Sequence, residues 1–178
     1  MRTAAFTLVA LVTLSQFGTP AAAADKPAFG SDAVAAPAPI SSVAEIVAAL
    51  PKDLAPGREG WTAIQSELVG AWAAKRFADV PVQLTGEVFS VGLKDKGDLR
   101  VPYAVIRTPG GKAGALAVSG GSASATFASG AAPGMAKLKP GDRFTFHGAI
   151  ERVDLAADRT GIAVAVTVKD ASPGPRPK

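Results

Sequence analysis

Two long segments of the chain alternate apolar and polar residues and indicate the strands around which the protein folds. In residues 82–88 an apolar residue stands at every second position, and Gly86 occupies one of these positions. The segment LKPGDRFTFHGAIERVDL, residues 138–155, follows the same pattern with Gly148. Alternation with a period of two predicts a half-buried strand. A glycine on the apolar side permits a sharp bend or a close approach of another backbone.

The two segments match each other at a constant offset along the chain. The matched pairs are Val82 with Phe144, Leu84 with Phe146, Gly86 with Gly148, Val88 with Ile150, Val91 with Val153, and Leu93 with Leu155. Two copies are too few for a solenoid. We therefore expect two equivalent strands, each bent at its glycine and each pairing in two directions.

Further strand patterns complete an all-β region. One covers residues 99–107, where Pro102 favours an edge or a bulge because it has no backbone N–H to donate. Residues 113–128 hold either one interrupted strand or two, and residues 162–168 alternate Val or Ile with smaller side chains. The polar run at 94–98 predicts the turn before the strand at 99–107.

Two helices are predicted ahead of the strands. Ser42 and Glu45 have capping-box spacing, and Pro51 ends the helix that they begin. A second helix is predicted over residues 58–77. Its apolar stripe is expected to pack on the sheet and consists of Trp61, Ile64, Leu68, Ala71 and Trp72.

A five-stranded barrel whose long strands bend at glycine is the OB architecture. The pattern of residues 82–88 and the run LKPGDRFTFHGAI resemble the bacterial OB-fold family described as tRNA-anticodon-binding-like, found in small exported proteins. The resemblance covers residues 79–170. It implies a mainly β fold, a five-stranded OB-like Greek-key barrel preceded by two short α-helices. The family name records kinship of fold and does not by itself imply contact with tRNA.

The N-terminus has the pattern of a secretory signal peptide. Arg2 precedes the apolar run AAFTLVALVTL, and Ala22–Ala24 form a small-residue cleavage site before Asp25. The apolar run is too short to span a bilayer. We expect cleavage near Ala24–Asp25, a periplasmic or secreted product, and no stable membrane insertion. The chain has no cysteine, which excludes disulfides, thiolate metal sites and a lipid-modified cysteine.

These patterns divide the chain into five segments. They are a signal peptide at 1–24, a flexible leader at 25–40, a helical segment at 41–78, the OB-fold barrel at 79–170, and a disordered tail at 171–178.

Basic and aromatic residues around the strand at 99–107 are the candidates for ligand binding. They are Lys94, Lys96, Arg100, Tyr103 and Arg107. OB domains bind single strands by stacking bases on aromatic rings over a basic groove. However, Tyr103 shares its parity with Val101 and Val105, which predicts that its ring faces the core. The outer side of this strand would then lack an aromatic ring on which a base could stack.

His147 is the only histidine, and its parity places it on the face opposite Phe144 and Phe146. We include it among the candidate ligand-binding residues. Metal sites need several converging ligands, and neither a second histidine nor a cysteine is available. No other residue pattern in the sequence therefore supports ligation of haem or metal by His147.

No arrangement of residues indicates catalysis. The serines at 119–129 lack the G-x-S-x-G elbow of a nucleophile. The net charge of +4 is compatible with an anionic partner but does not require one. We predict an exported, non-catalytic binding module without a cofactor, whose partner is an unidentified protein or a small anionic ligand. The alternatives are a single-stranded nucleic-acid-binding OB protein and a haem- or metal-handling accessory protein that uses His147.

Overall fold

The structure, a computed structural model, describes residues 38–174. The predicted signal peptide, most of the leader and the last four residues lie outside the described residues. The helices are α1 (Val43–Ala48), α2 (Ala63–Phe77) and α3 (Ala132–Met135), with short 3-10 turns at Lys52–Leu54 and Ser129–Ala131. The strands are β1 (Pro81–Lys96), β2 (Leu99–Thr108), β3 (Gly111–Ala113), β4 (Leu116–Phe127), β5 (Arg143–Asp158) and β6 (Gly161–Pro173).

Five strands close into a barrel. β1 pairs with β2 and β5, β2 pairs with β4, and β5 pairs with β6, all antiparallel, while β4 and β6 are parallel. The short strand β3 pairs with the first residues of β4, before the part of β4 that pairs with β2. This connectivity confirms the predicted OB-like Greek-key barrel, in which one parallel pair closes an otherwise antiparallel sheet.

The two matched glycines lie where the long strands exchange partners. β1 pairs with β5 up to Glu87 and with β2 from Glu87 onward, next to Gly86. β5 passes from β1 to β6 around Gly148, where the register also shifts. A Cβ atom at Gly86 would lie 2.2 Å from a carbonyl oxygen of β2, and one at Gly148 would lie 2.7 Å from a carbonyl oxygen of β6. Both strands can turn this corner only because these positions carry no side chain.

Three phenylalanines fill the centre of the barrel. Phe127, Phe144 and Phe146 have ring centroids 6.0–6.1 Å apart, within the usual range for aromatic pairs. Phe146 has no exposed surface. Valine and isoleucine from all five barrel strands surround this cluster, as the alternating patterns predict.

Helix α1 begins as predicted. The hydroxyl of Ser42 accepts a hydrogen bond from the backbone N–H of Glu45. The carboxylate of Glu45 in turn accepts hydrogen bonds from the hydroxyl and backbone N–H of Ser41. The Ser41 hydroxyl is the main cause that lowers the pKa of Glu45 below its ordinary value, because a hydrogen bond to a carboxylate stabilises its charged form.

Helix α2 differs from its prediction in start and orientation. It starts at Ala63, because Thr62 and Gln65 form a capping box there. Its buried face is formed by Val69, Ala73 and Phe77. Within the predicted stripe, Ala71 is exposed, and so are Ile64 at 71% and Leu68 at 54%. The prediction selected the largest apolar residues of the first turns, whereas the side of the helix that is buried, with β5 as its neighbouring strand, includes the smaller residues Val69 and Ala73.

The two tryptophans of the predicted stripe are partly buried against the core. The indole N–H of Trp61 donates to the Leu54 carbonyl oxygen at 2.8 Å. The ring of Trp72 meets Phe77 edge-on, with centroids 5.4 Å apart. Their role is packing, as expected of aromatic residues at helical spacing.

Three further boundaries differ from the sequence prediction. β4 is one continuous strand, and the pair Gly120–Gly121 lies within it at a register shift against β6. β6 continues to Pro173, beyond the predicted barrel boundary at residue 170 and into the segment 171–178 that was predicted to be a disordered tail, because the end of the strand pairs with the start of β5. The last leader residue, Ile40, forms a parallel bridge with Val82. None of the helices in residues 38–174 is both long and apolar enough to cross a bilayer.

Candidate binding face

An arginine stacked on an exposed phenylalanine marks the outer side of the β1–β2 pair. Phe89 sits at the register shift between Val88 and Ser90, where β1 holds one more residue than β2. The bulge turns Phe89 outward, with 52% of its side chain exposed. The guanidinium carbon of Arg107 lies 4.2 Å from the centroid of the Phe89 ring, a cation–π contact.

Tyr103 lies on the same outer side, which corrects the prediction that it faces the core. After Tyr103 the buried residues of β2 are Ala104, Ile106 and Thr108, whereas Arg107 is exposed, so the odd-numbered positions from Tyr103 to Arg107 are outward; Val101 shares their parity but is buried at the start of the strand. The Tyr103 ring covers Gly92 on β1, where a Cβ atom would lie 3.1 Å from Cε1 of the ring. The outer side of the pair therefore carries two aromatic rings, at Phe89 and Tyr103.

Lys94 and Lys96 extend this surface along a hairpin. They were predicted in a loop, but β1 continues to Lys96 and the turn is reduced to Gly97 and Asp98. Gly92, Lys94 and Lys96 alternate along β1, so both lysines share the side of the strand that carries Tyr103. We call the surface formed by Phe89, Lys94, Lys96, Tyr103 and Arg107 the binding face.

Arg100 does not join the binding face. It lies opposite Asp95 on β1, and these two positions alternate with those of the lysines and Tyr103. The Arg100 Nε and an Asp95 carboxylate oxygen are 3.4 Å apart, with both side chains mostly exposed. Such an exposed ion pair contributes little to stability.

Two depressions meet at Arg107. The outer groove has a volume of about 510 Å³, and its lining runs over β2, β4, β5 and β6. Its lining residues are Arg107, Thr108, Ser119, Gly120, Gly121, Ser122, Asp154, Leu155, Ala156, Ala163, Val164 and Ala165. Most of these side chains are small, so a ligand can lie close to the sheet.

The second depression, the arginine depression, has a volume of about 460 Å³. It is lined by Thr85, Gly86, Glu87, Arg107, Thr108, Pro109, Gly141 and Arg143. Thr108 contributes to both depressions. Its hydroxyl is the one buried side-chain polar atom among residues 38–174 that has no hydrogen-bond partner, and nothing in the described structure explains it.

His147 is exposed, as predicted, but it belongs to β5 and not to the β1–β2 pair that carries the other candidates. It pairs with Gln83 on β1 and Ser172 on β6, and Gln83 precedes Glu87, the partner of Arg107, by four positions on β1. Residues 38–174 contain no cluster of three or more His, Asp or Glu side chains placed to hold a metal ion. The structure thus places four of the six candidate residues on the outer side of the β1–β2 pair, spread between the register shift and the hairpin turn, while Arg100 has the opposite parity and His147 lies on β5.

The sequence reasoning missed Phe89, Glu87 and Arg143. A signal for Phe89 was present, because the adjacent apolar residues Val88 and Phe89 break the alternation of β1 in the way a bulge does. Glu87 and Arg143 carried no such signal. Their position in the arginine depression follows from the pairing of three strands that are distant in sequence.

Comparison with known proteins adds a distant structural likeness. No protein-family model matches the chain, and no curated protein matches it. Among solved structures, one similar chain is a lipoprotein from Klebsiella pneumoniae that is described as a candidate nucleic acid-binding protein. It is 17% identical, the alignment covers 82% of this chain and 98% of that chain, and the TM-score is 0.43. Membership of the tRNA-anticodon-binding-like family stays a prediction.

Proposed function

We propose that this protein is a non-catalytic binding module and that it binds single-stranded nucleic acid across the binding face. The observation that carries the proposal is the Arg107 guanidinium stacked on the exposed ring of Phe89. Tyr103 and the two lysines lie on the same side of the β1–β2 pair. Aromatic rings beside cationic side chains are the combination by which OB domains bind single strands without strong sequence preference.

Each part of the binding face suits one part of such a ligand. Every base has a π face, and stacking on an aromatic ring contributes about 1–3 kcal/mol per base. Lys94 and Lys96 can neutralise phosphates and release counterions. The outer groove, with its small side chains, leaves room for the strand to continue from Arg107 across β4 and β6.

The sequence supports export as part of the same proposal. The N-terminal segment has the pattern of a signal peptide, so the nucleic acid would be met in the periplasm or outside the cell. The binding face consists of stacking and charged side chains. We therefore propose that it binds its ligand and does not catalyse a reaction.

Binding of a labelled single-stranded oligonucleotide tests this proposal. We expect saturable binding whose affinity falls steeply with salt, because each phosphate contact on a single strand contributes a slope of about −0.7 in the logarithms of affinity and salt concentration. Contacts from Lys94, Lys96 and Arg107 would give a slope of about −2. Fluorescence anisotropy over a salt series measures this slope. An absence of binding, or an affinity that salt does not change, would contradict the proposal.

Two substitutions locate the binding on this face. Phe89→Ala and Arg107→Ala should each weaken binding by about tenfold, from the loss of one stacking contact, and Arg107→Ala should also reduce the salt slope by about 0.7. Arg76→Ala is the matched control, because Arg76 also lies over a phenylalanine, Phe77, but on helix α2. His147→Ala is a second control on β5, outside the β1–β2 pair. Equal losses in the controls would place the ligand elsewhere.

A further inference from the structure

Three charged residues form a row across three strands beside Phe89. Glu87 on β1 lies directly opposite Arg107 on β2 and directly opposite Arg143 on β5. Directly opposite residues of paired strands share one side of the sheet, and adjacent strands are about 4.8 Å apart. The carboxylate of Glu87 therefore has an arginine on each side, at the floor of the arginine depression.

The three charged side chains of this row form no ion pairs with one another. All three residues are exposed. The ion pairs within residues 38–174 are Arg100 with Asp95, Arg152 with Asp154, Arg159 with Glu59, and Lys169 with Asp79. Glu87 thus presents two free acceptor oxygens, and its neighbouring arginines present N–H donors.

The alternation of acceptor and donor in this row matches one base best. The Watson–Crick edge of guanine carries the acceptor O6 next to two donors, N1–H and the N2 amino group. A carboxylate can accept from both donors at once, while Arg143, on the side of Glu87 away from the stacked Arg107, donates to O6. Thymine offers a single donor between two carbonyl oxygens, which would face the carboxylate unfavourably.

The distance from the stacking site fits the same base. Phe89 follows Glu87 by two residues in β1, so the two positions are about 7 Å apart along the strand. A base that stacks at Phe89 and Arg107 can thus present its edge to Glu87. Single-stranded bases are commonly read in this way, stacked on a ring or an arginine plane and hydrogen-bonded along the Watson–Crick edge.

We propose that Glu87, flanked by Arg107 and Arg143, selects guanine at one position of the bound strand. This inference rests on the proposed function, since it names the base that the binding face prefers. Glu87 is a specificity-determining residue in this account. The other bases of the strand would be bound by stacking and phosphate contacts without selection.

A set of oligonucleotides that differ at one position tests this inference. The probes are short oligothymidylates with guanine, inosine, cytosine or thymine at the central position, compared by competition against one labelled strand. We expect the guanine probe to bind about tenfold more tightly than the thymine probe, since a good bidentate base contact discriminates by about that factor or more. Inosine lacks the N2 amino group and should lose most of the advantage.

Glu87→Gln should reduce the preference for guanine to less than about twofold, while the thymine probe binds the variant no more weakly than the wild type. Glu67→Gln is the matched control, since Glu67 is an exposed glutamate on helix α2, and it should keep the preference. Binding of all probes without preference, or a preference that survives Glu87→Gln, would overturn the inference and leave the proposed function intact. No binding of any probe would overturn the proposed function itself.

Discussion

Gly86→Ala is expected to destabilise the barrel by more than about 3 kcal/mol, because a methyl group has no room at this corner. The added Cβ would lie 2.2 Å from the carbonyl oxygen of Arg107 and 3.1 Å from Cδ1 of Ile106. The first of these atoms belongs to backbone and cannot rotate away. β2 would have to separate from β1 where β1 exchanges partners, and urea unfolding followed by circular dichroism measures the loss.

Gly70→Ala is the matched control for this substitution. Gly70 lies inside helix α2, it is exposed, and a Cβ atom there would have no neighbour within 4 Å. The same chemical change should stabilise the protein by about 0.5–1 kcal/mol, since alanine loses less backbone entropy than glycine in a helix. If Gly86→Ala cost no more than about 1 kcal/mol, the corner would not depend on a missing side chain.

Phe146→Ala is expected to cost about 3–5 kcal/mol, the range for removing a buried aromatic ring from a core. Phe146 has no exposed surface, and its ring contacts both Phe127 and Phe144. The substitution would leave a cavity at the centre of the barrel. Since small domains are stable by only about 5–15 kcal/mol, the variant should melt at a much lower temperature.

Phe89→Ala provides the comparison, because it removes the same atoms from an exposed position. The ring of Phe89 contacts Arg107 at the surface, so its loss should cost about 1 kcal/mol or less. Thermal unfolding of both variants at one protein concentration measures the difference. Similar costs for the two substitutions would mean that the aromatic cluster does not anchor the core.

The barrel could be predicted because its two long strands carry an unambiguous pattern. Apolar residues stand at every second position around Gly86 and Gly148, and only one parity can face a core. The constant offset between the copies identified a shared role. The strand pairing is consistent with this shared role, because the two copies pair with each other and each glycine lies opposite the first residue of the other copy: Gly148 opposite Val82 and Gly86 opposite Phe144.

The side of β2 that faces the core could not be predicted, because this strand has apolar residues at both parities. Val101, Tyr103 and Val105 suggest one orientation, and Ala104 and Ile106 suggest the other. Closure of the barrel decides between them, since β2 must present Ala104 and Ile106 inward when it pairs with β4. The binding face follows from this choice, which turns Tyr103 outward beside Arg107.

The buried side of helix α2 was missed for a related reason. The buried face of the helix runs through Val69, Ala73 and Phe77, so the large residues Ile64 and Leu68 lie on another side and remain exposed. Hydrophobic spacing alone favours the large residues. The row of Arg107, Glu87 and Arg143 required the register of three strands, which local patterns do not contain.

Chemical-shift mapping of the isotope-labelled protein with a single-stranded oligonucleotide shows directly whether nucleic acid binds on the outer side of the β1–β2 pair. We expect the largest shifts at the backbone amides of Phe89, Lys94, Tyr103 and Arg107, with saturation at the same ligand concentration. The amides of His147 on β5 and Leu68 on helix α2, which lie outside the β1–β2 pair, should not move. Shifts centred on His147 or on helix α2, or no shifts at any ligand concentration, would contradict the assignment of the β1–β2 outer side as the site of nucleic acid binding.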